Sequence, residues 1–414
     1  PATVEEFRQE RIHRTGGSTL NRVSSIFSQL LQWFPRGEFE ALVRKHGAER
    51  RSKGFSCWGQ FVAMLFCQLG QAKSLREIHE GLRASEGRLR HLGLTDAPPR
   101  STLAYANQHR THRLFEELFQ VTFRRCRAQL QAAGVYGRAA ALGHRLFSLD
   151  ATVIDLCAAV FDWAKFRTTK GAVKLHLLLD HEGHLPAYAV ITPGKQHEIR
   201  VARRLKLPPG SMLVFDRGYS DYDWFAALSR QKVFFVTRLK EQADFVVLER
   251  RAITDGERKA GVRRDEILVF RQQATADNDR FFRRVVYWDA DKEREFVFLT
   301  NHFELVPSQV AAVYKQRWQV ELFFKALKQN LRVKTFVGTS ANALKIQIWT
   351  ALISILLIKF LQLRSRLGWS LSRLVALLRQ QLFVYRDLWR WIDHPFEGPP
   401  RPLADRVEQL AISW

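Results

Sequence analysis

The sequence predicts a mixed α/β protein, with a β-rich middle preceded and followed by helices. Three observations predict it. Up to about residue 130, apolar residues recur at the three- and four-residue spacing of helices. Between about 146 and 300, short runs of Val, Ile, Leu and Phe end on charges or turn residues, the punctuation of strands. From residue 313 to 331, Gly and Pro vanish and helix formers return.

Residues 1–23 are polar and basic and read as a loose arm; they hold no apolar run, which argues against a secretory signal. The initiator Met is absent, as expected after its removal or a truncation. Ile26, Leu30, Leu31 and Phe34 then repeat at helical spacing and stop at Pro35. Phe61, Met64, Leu65 and Leu69 mark another helix, ending at Gly70. Ser74 followed by Glu77 is a capping-box pattern. After the turn-rich TDAPPRS, Ser101 or Thr102 can cap a helix through LAYANQHR, and a second amphipathic helix covers 114–130. Short helices, tight turns and many Arg and Lys fit a helix-turn-helix-like DNA-binding domain over 1–137. The bland alternative is a helical bundle with a solvated basic surface.

The composition shifts after Gly134. RLFSLDATVIDL reads as a strand broken by Asp150. AVKLHLLLD and LPAYAVITP, joined by a turn at 181–184, complete an antiparallel meander. SMLVFD ends on Asp216 and runs into a turn and helix, RGYSDYDWFAAL; VFFVTRL is a fifth strand. The order β-β-β then β-α-β is that of a ribonuclease-H-like core, placed at 138–240 and 301–345. Four strand-like runs make 241–300 a β-rich insertion, and 346–414 a C-terminal helical region. Within it, SLSRLVALLRQQLFVYRDLWRWI reads as one amphipathic helix. The apolar run 346–363 is only just long enough to cross a bilayer and reads instead as a buried core helix.

Lys plus Arg is 65 against 41 Asp plus Glu, a net charge of +24. That excess calls for a polyanionic partner, nucleic acid before a membrane surface. Four cysteines show no metal-ligand spacing and read as reduced core thiols of a cytoplasmic protein. His181 and His184 sit on a predicted turn, and one pair is too few for zinc. No phosphate-binding loop for a nucleotide cofactor occurs.

The chain centres on VYKQRWQVELFFKALKQNL, residues 313–331. At about 100° per residue, Tyr314, Arg317, Glu321, Lys325 and Lys328 share roughly a quarter of the helix circumference, beside an apolar face. Alone, this is a surface helix with an Arg317–Glu321 pair. Tyr314, Arg317, Glu321 and Lys328, however, resemble the Tyr-Arg-Glu-Lys signature of bacterial insertion-sequence transposases of the insertion-sequence-four family, Tn-five/Tn-ten-like, position by position. The flanks SLDATVID and VFDRGYSD resemble the family's two aspartate motifs.

The resemblance implies a catalytic triad of Asp150, Asp216 and Glu321, converging across neighbouring strands and the helix. Such hard oxygen ligands suit two Mg²⁺ or Mn²⁺ ions for phosphodiester hydrolysis. It implies that Tyr314, Arg317 and Lys328 grip phosphates, with Arg217 a further candidate. Trp288 would stack on a flipped base, with core packing an equal alternative. Asp155, Asp221 and Asp223 read as solvated or capping residues; His197 and Glu198 could approach the site, but a loop role is favoured. The implied activity is binding of terminal inverted repeats, cleavage, and joining of the ends to target double-stranded DNA by a nucleoid-associated homodimer. The rivals are a non-catalytic DNA-binding derivative and a nuclease of the same fold that does not join.

Overall fold

The computed structural model describes residues 24–397, except 51, 53, 86, 135–142, 158–160, 162, 164, 168–169, 272–280 and 334. The arm read at 1–23 and the tail beyond 397 lie outside the described residues.

Among the described residues six α-helices come first: α1 Ile26–Leu31, α2 Arg36–Lys45, α3 Cys57–Leu69, α4 Leu75–Arg83, α5 Arg100–His109 and α6 Arg113–Ala132. Their starts are written in side chains. Ser25, Ser56 and Ser74 each accept a first-turn N–H, and Glu77 accepts from the Lys73 N–H at 2.9 Å, one residue before the cap, a variant of the expected capping box. α5 begins earlier than expected, at Arg100 behind Pro99, so neither Ser101 nor Thr102 is its cap. All 13 residues of α3 are buried, as its lack of charge dictates.

The strands are β1 Leu146–Cys157, β2 Lys165–Arg167, β3 Lys170–Asp180, β4 Leu185–Pro193, β5 Met212–Phe215, β6 Phe234–Arg238, β7 Phe245–Arg250, β8 Val262–Phe270, β9 Phe281–Asp289 and β10 Arg294–Thr300. β4, β3 and β1 pair antiparallel; β1, β5 and β6 pair parallel, so the β-β-β then β-α-β reading holds. α7 Glu198–Ala202 and α8 Tyr222–Arg230 flank β5. The stretch 241–300 builds no separate sheet: β10 adds antiparallel to β6, and β9, β8 and β7 continue outward, with a short helix, α9 Asp255–Lys259, that the sequence did not announce.

The helix expected over 313–331 is two. α10 Pro307–Lys315 and α11 Trp318–Asn330 meet at a tight step, where Arg317 donates to Tyr314 O and Val320 to Arg317 O, both i to i−3. The long apolar helix is α12 Ala341–Arg364. Among the described residues it alone is long and apolar enough to cross a bilayer, yet 83% of its apolar window is buried inside the protein. It packs on α3, α5, α6 and β4, so the N-terminal helices, α12 and one sheet face share one core. The single helix expected near the C-terminus is also two, α13 Leu371–Gln381 and α14 Leu388–Asp393. Between them the chain is drawn out to pair with the N-terminal segment: Phe27 donates to Leu382 O at 2.8 Å and Ile26 to Val384 O at 3.1 Å.

α11 (Val320, Phe323, Leu327) lies in the core on one sheet face; α8 (Trp224, Phe225) covers the other; α10 (Val310, Val313) packs on β5, β6 and the added strands. α11 is thereby laid along β1, and α10 along β5 and β6.

Candidate active site

β1 and β5 run in parallel register, with Leu149 opposite Phe215. One residue further come Asp150, still within β1, and Asp216, just past the end of β5, near enough for its charge to act on Asp150. Asp150 accepts the Ala151 N–H at 2.8 Å and Asp216 the Gly218 N–H at 2.8 Å, which opens a 3₁₀ turn, Arg217–Tyr219. Glu321 reaches the pair from the first turn of α11.

Arg317 links the start of α11 to β1. Its Nη2 lies 2.5 Å from Glu321 Oε1 and its Nη1 3.6 Å from Asp150 Oδ2. The step between α10 and α11 aims it there, for a 3₁₀ turn rotates the chain about 20° per residue beyond an α-helix. Burial pushes the Asp150 carboxyl up to about 6; the Ala151 N–H and Arg317 pull it down, while Glu321 and Asp216 push it further up. Arg317, Glu321 and Asp216 thus all act on Asp150.

A cleft of about 960 Å³ opens beside Asp216, between α10–α11 and strands β9–β10. Arg238, Lys292, Arg294, Lys315 and Arg317 line it with Tyr287, Tyr314 and Trp318. Tyr314 packs on Phe298 at 5.0 Å, and burial raises its hydroxyl pKa. Trp318 is 55% exposed.

The other expected residues fall less centrally. Lys328 Nζ donates to Val153 O at 2.9 Å, three residues beyond Asp150 on β1. Arg217 turns to Glu241 at 3.3 Å, on the loop after β6. Trp288 is 37% exposed, which excludes core packing. Its neighbours Tyr287 and Asp289 line the cleft, so strand alternation puts Trp288 on the opposite sheet face, where a base held in this cleft does not reach it. Asp221 caps α8 through the Trp224 N–H at 2.9 Å, and Asp155 and Asp223 are exposed, as read. His181 shares a 2.6 Å hydrogen bond with Ser148, and burial holds it and His184 down at about 4, both neutral. All four cysteines are free, three of them buried.

The profile of the transposase DDE domain matches residues 141–357, over half the chain. The chain belongs to the DDE transposase family. A domain of unknown function, DUF4372, matches residues 22–95. A putative transposase, y4zB, of Sinorhizobium fredii is 29% identical over 70% of this chain and 80% of its own. A probable transposase for insertion sequence element IS5377 of Geobacillus stearothermophilus is 30% identical over 51% of this chain and 55% of its own. A putative transposase for insertion sequence element IS4SA of Synechocystis is 25% identical over 54% and 62%. A chain of the piggyBac transposase synaptic complex with hairpin DNA superposes with a TM-score of 0.42 at 10% identity, covering 92% of this chain and 83% of that one, too weakly to bear on the fold. A DDE transposase domain implies a ribonuclease-H-like fold, which the strand order matches.

In this transposase, no group of three or more His, Cys, Asp or Glu among the described residues closes on one point as metal ligands do. The donor set nevertheless fits a hard divalent ion: Asp150 and Asp216 follow the last paired residues of neighbouring strands, and Arg317 already places positive charge between Asp150 and Glu321. Two further residues belong to the neighbourhood. Glu198, read as favouring a loop role, starts α7 beside this turn; a Cβ built on Gly218 would stand 3.5 Å from its Oε2 and 3.3 Å from Asp216 Oδ1, and its Oε1 pairs with Lys174 at 3.1 Å. The buried Tyr219 hydroxyl, without a hydrogen-bond partner among the described residues, is pushed up by burial and then by Asp150, Glu198 and Asp216. The sequence signal was the tyrosine of Asp-Arg-Gly-Tyr and the Glu of Gln-His-Glu.

Proposed function

We propose that this protein is a cut-and-paste DNA transposase of the insertion-sequence-four type, with Asp150, Asp216 and Glu321 as its catalytic and metal-holding residues. The observation that carries the reading is the register of β1 against β5: Asp150 of β1 and Asp216 just past β5 each follow the last paired residues, Leu149 and Phe215, and Arg317 links Glu321 to Asp150. Two bound Mg²⁺ or Mn²⁺ ions would supply Lewis-acid activation of the attacking and leaving oxygens of a phosphodiester. The chain's own part is to hold those carboxylates on rigid elements and to orient the strand. Tyr314, Arg317 and Lys328 would grip phosphates near the cut, Arg317 through its bidentate fork and Lys328 as a point charge. The cationic cleft beside Asp216 is wide enough for a DNA strand and carries exposed Trp318 for a base to stack on.

Residues 1–137 would recognise the element's terminal inverted repeats, 138–240 and 301–345 cut and join, and 241–300 support the cleft. Two copies would pair the ends as a homodimer. The intact carboxylate set favours this over a non-catalytic derivative. The test incubates the full chain with a labelled element end, target plasmid and Mg²⁺. Cleaved and joined products are expected, with none in excess chelator; cleavage without joining would leave a nuclease, and cleavage in chelator would remove the metal-dependent reading.

A further inference from the structure

Helix α5, Arg100–His109, is held from behind and bare in front. Leu103 and Ala106 are buried, and the 1%-exposed Asn107 accepts from Gln60 at 2.8 Å. Asn342 of α12 donates to the carbonyls of Asn107 and Arg110, at 2.8 and 2.5 Å. The opposite stripe, Arg100, Ser101, Ala104, Tyr105, Gln108 and His109, is exposed. Tyr105 is 67% exposed and stacks on His109, ring centroids 4.1 Å apart. The helix contains no Asp or Glu.

Its neighbours strengthen the positive sign. Lys73, Arg76 and Arg100 border a cavity of about 470 Å³ with Phe336 and Val337. Among the described residues none of the three cations has an ion pair, and the neighbouring Glu77 is held by the capping box. Helices α3 and α4 make the tight helix-turn-helix step, yet α3 is wholly buried and α4 carries Glu77 and Glu80 among its cations. The recognition surface is therefore not the second helix of that pair.

We propose that the exposed stripe of α5 lies in the major groove of the duplex this transposase acts on, with Gln108, Tyr105 and His109 toward the base edges and Lys73, Arg76 and Arg100 on the backbone phosphates. The inference rests on the transposase reading above. A helix of 10 residues is about 15 Å long and fits a groove about 12 Å wide. Glutamine is suited to bidentate hydrogen bonding of adenine, and arginine and lysine to phosphate. Phe336 and Val337 follow α11, so the cavity lies beyond the end of that helix, about 14 Å or more along its axis from Glu321. One duplex with its end at the carboxylates can reach both.

The test uses the full chain. Lys73→Ala/Arg76→Ala/Arg100→Ala is compared with Arg258→Ala/Lys259→Ala/Arg263→Ala, which removes equal charge from exposed positions of the insertion. Binding to a 30-base-pair random duplex is titrated against salt. The first variant is expected to bind at least tenfold more weakly at low salt and to lose about 2–3 from the log–log salt slope, at about 0.9 per phosphate contact; the second is expected to match wild type. Gln108→Ala, selected against a random duplex pool, is expected to relax one position of the enriched site while keeping its salt slope. Equal losses in both triple variants, or an unchanged enriched site in Gln108→Ala, would overturn the assignment. A wild type that binds no duplex would instead overturn the transposase reading.

Discussion

Asp150→Asn should stabilise the protein above neutral pH in the absence of divalent metal. The Asp150 carboxyl is pushed up to about 6, mainly by burial, with Glu321 and Asp216 adding to it. A carboxyl in the unfolded chain titrates near 3.9, so the folded state favours the neutral form by roughly 2 units, about 3 kcal/mol. The sign follows directly. With the folded pKa raised, the penalty is absent below the unfolded value, grows as pH rises from about 4 to 6, and is complete above that. At pH 8 the asparagine removes this penalty, in which the attraction of Arg317 is already counted, and keeps the acceptor for the Ala151 N–H. A net gain of about 2–3 kcal/mol, or about 2–4 °C in a chain of this size, is expected. Thermal melts of both proteins at pH 8 and pH 4.5 test it: the gap should shrink by more than half at the lower pH. Adding 10 mM Mg²⁺ at pH 8 should raise the wild-type midpoint more than the variant's, because only a native-state ligand stabilises. A variant less stable at pH 8, or a gap indifferent to pH, would refute the account of three mutually repelling carboxylates around Arg317.

Three other outcomes are expected. Glu321→Gln should fold and bind duplex DNA with near-native affinity, yet cut none in Mg²⁺; cutting at the wild-type rate would take Glu321 out of the site. Trp288→Ala, on the sheet face away from the cleft, should express solubly, lose no more than about 1 kcal/mol of stability and cleave at the wild-type rate, so a defect confined to double-strand cleavage would return Trp288 to the reaction. Arg283 is 1% exposed, pairs bidentately with buried Asp265 at 2.7 and 2.8 Å, and donates to the carbonyls of His302, Phe303 and Leu305. Arg283→Ala should cost about 3–5 kcal/mol, read as a fall in soluble yield and urea midpoint, since it leaves a carboxylate buried without its partner.

Much of the fold was legible because its signals are local. Strands β1, β3, β4, β5 and β6 each appear as an apolar run ended by a charge or turn, and Ser74 and Glu77 announce α4 by themselves. What escaped is set by contacts distant in sequence. The break between α13 and α14 exists because residues 26 and 27 take the carbonyls of Val384 and Leu382; nothing within 371–393 says so. The three-residue β2 carries too little sequence to show a period. Alternation alone put Tyr287 and Asp289 together against Trp288, but which face carries the cleft depends on α10 packing there, a tertiary fact.

The central motif shows the same division at the scale of one turn. A continuous 100° wheel over 313–331 groups Tyr314, Arg317, Glu321 and Lys328 on one side; Arg317 meets Glu321 and Asp150, while Lys328 reaches β1 further on, at Val153. It does not foresee the step at Gln316 and Arg317, where two i to i−3 hydrogen bonds over-rotate the chain. That step gives Arg317 its position: on an unbroken helix it would be an exposed partner for Glu321 worth a few tenths of a kcal/mol. Here its side chain is only 16% exposed and reaches Asp150 as well. A guanidinium held by two carboxylates cannot give its full fork to a phosphate. Divalent cations that take over those carboxylates would release it, and linkage then requires the DNA it grips to favour metal binding in return. The spacing of four residues names the participants; the broken helix between two of them couples their ligands.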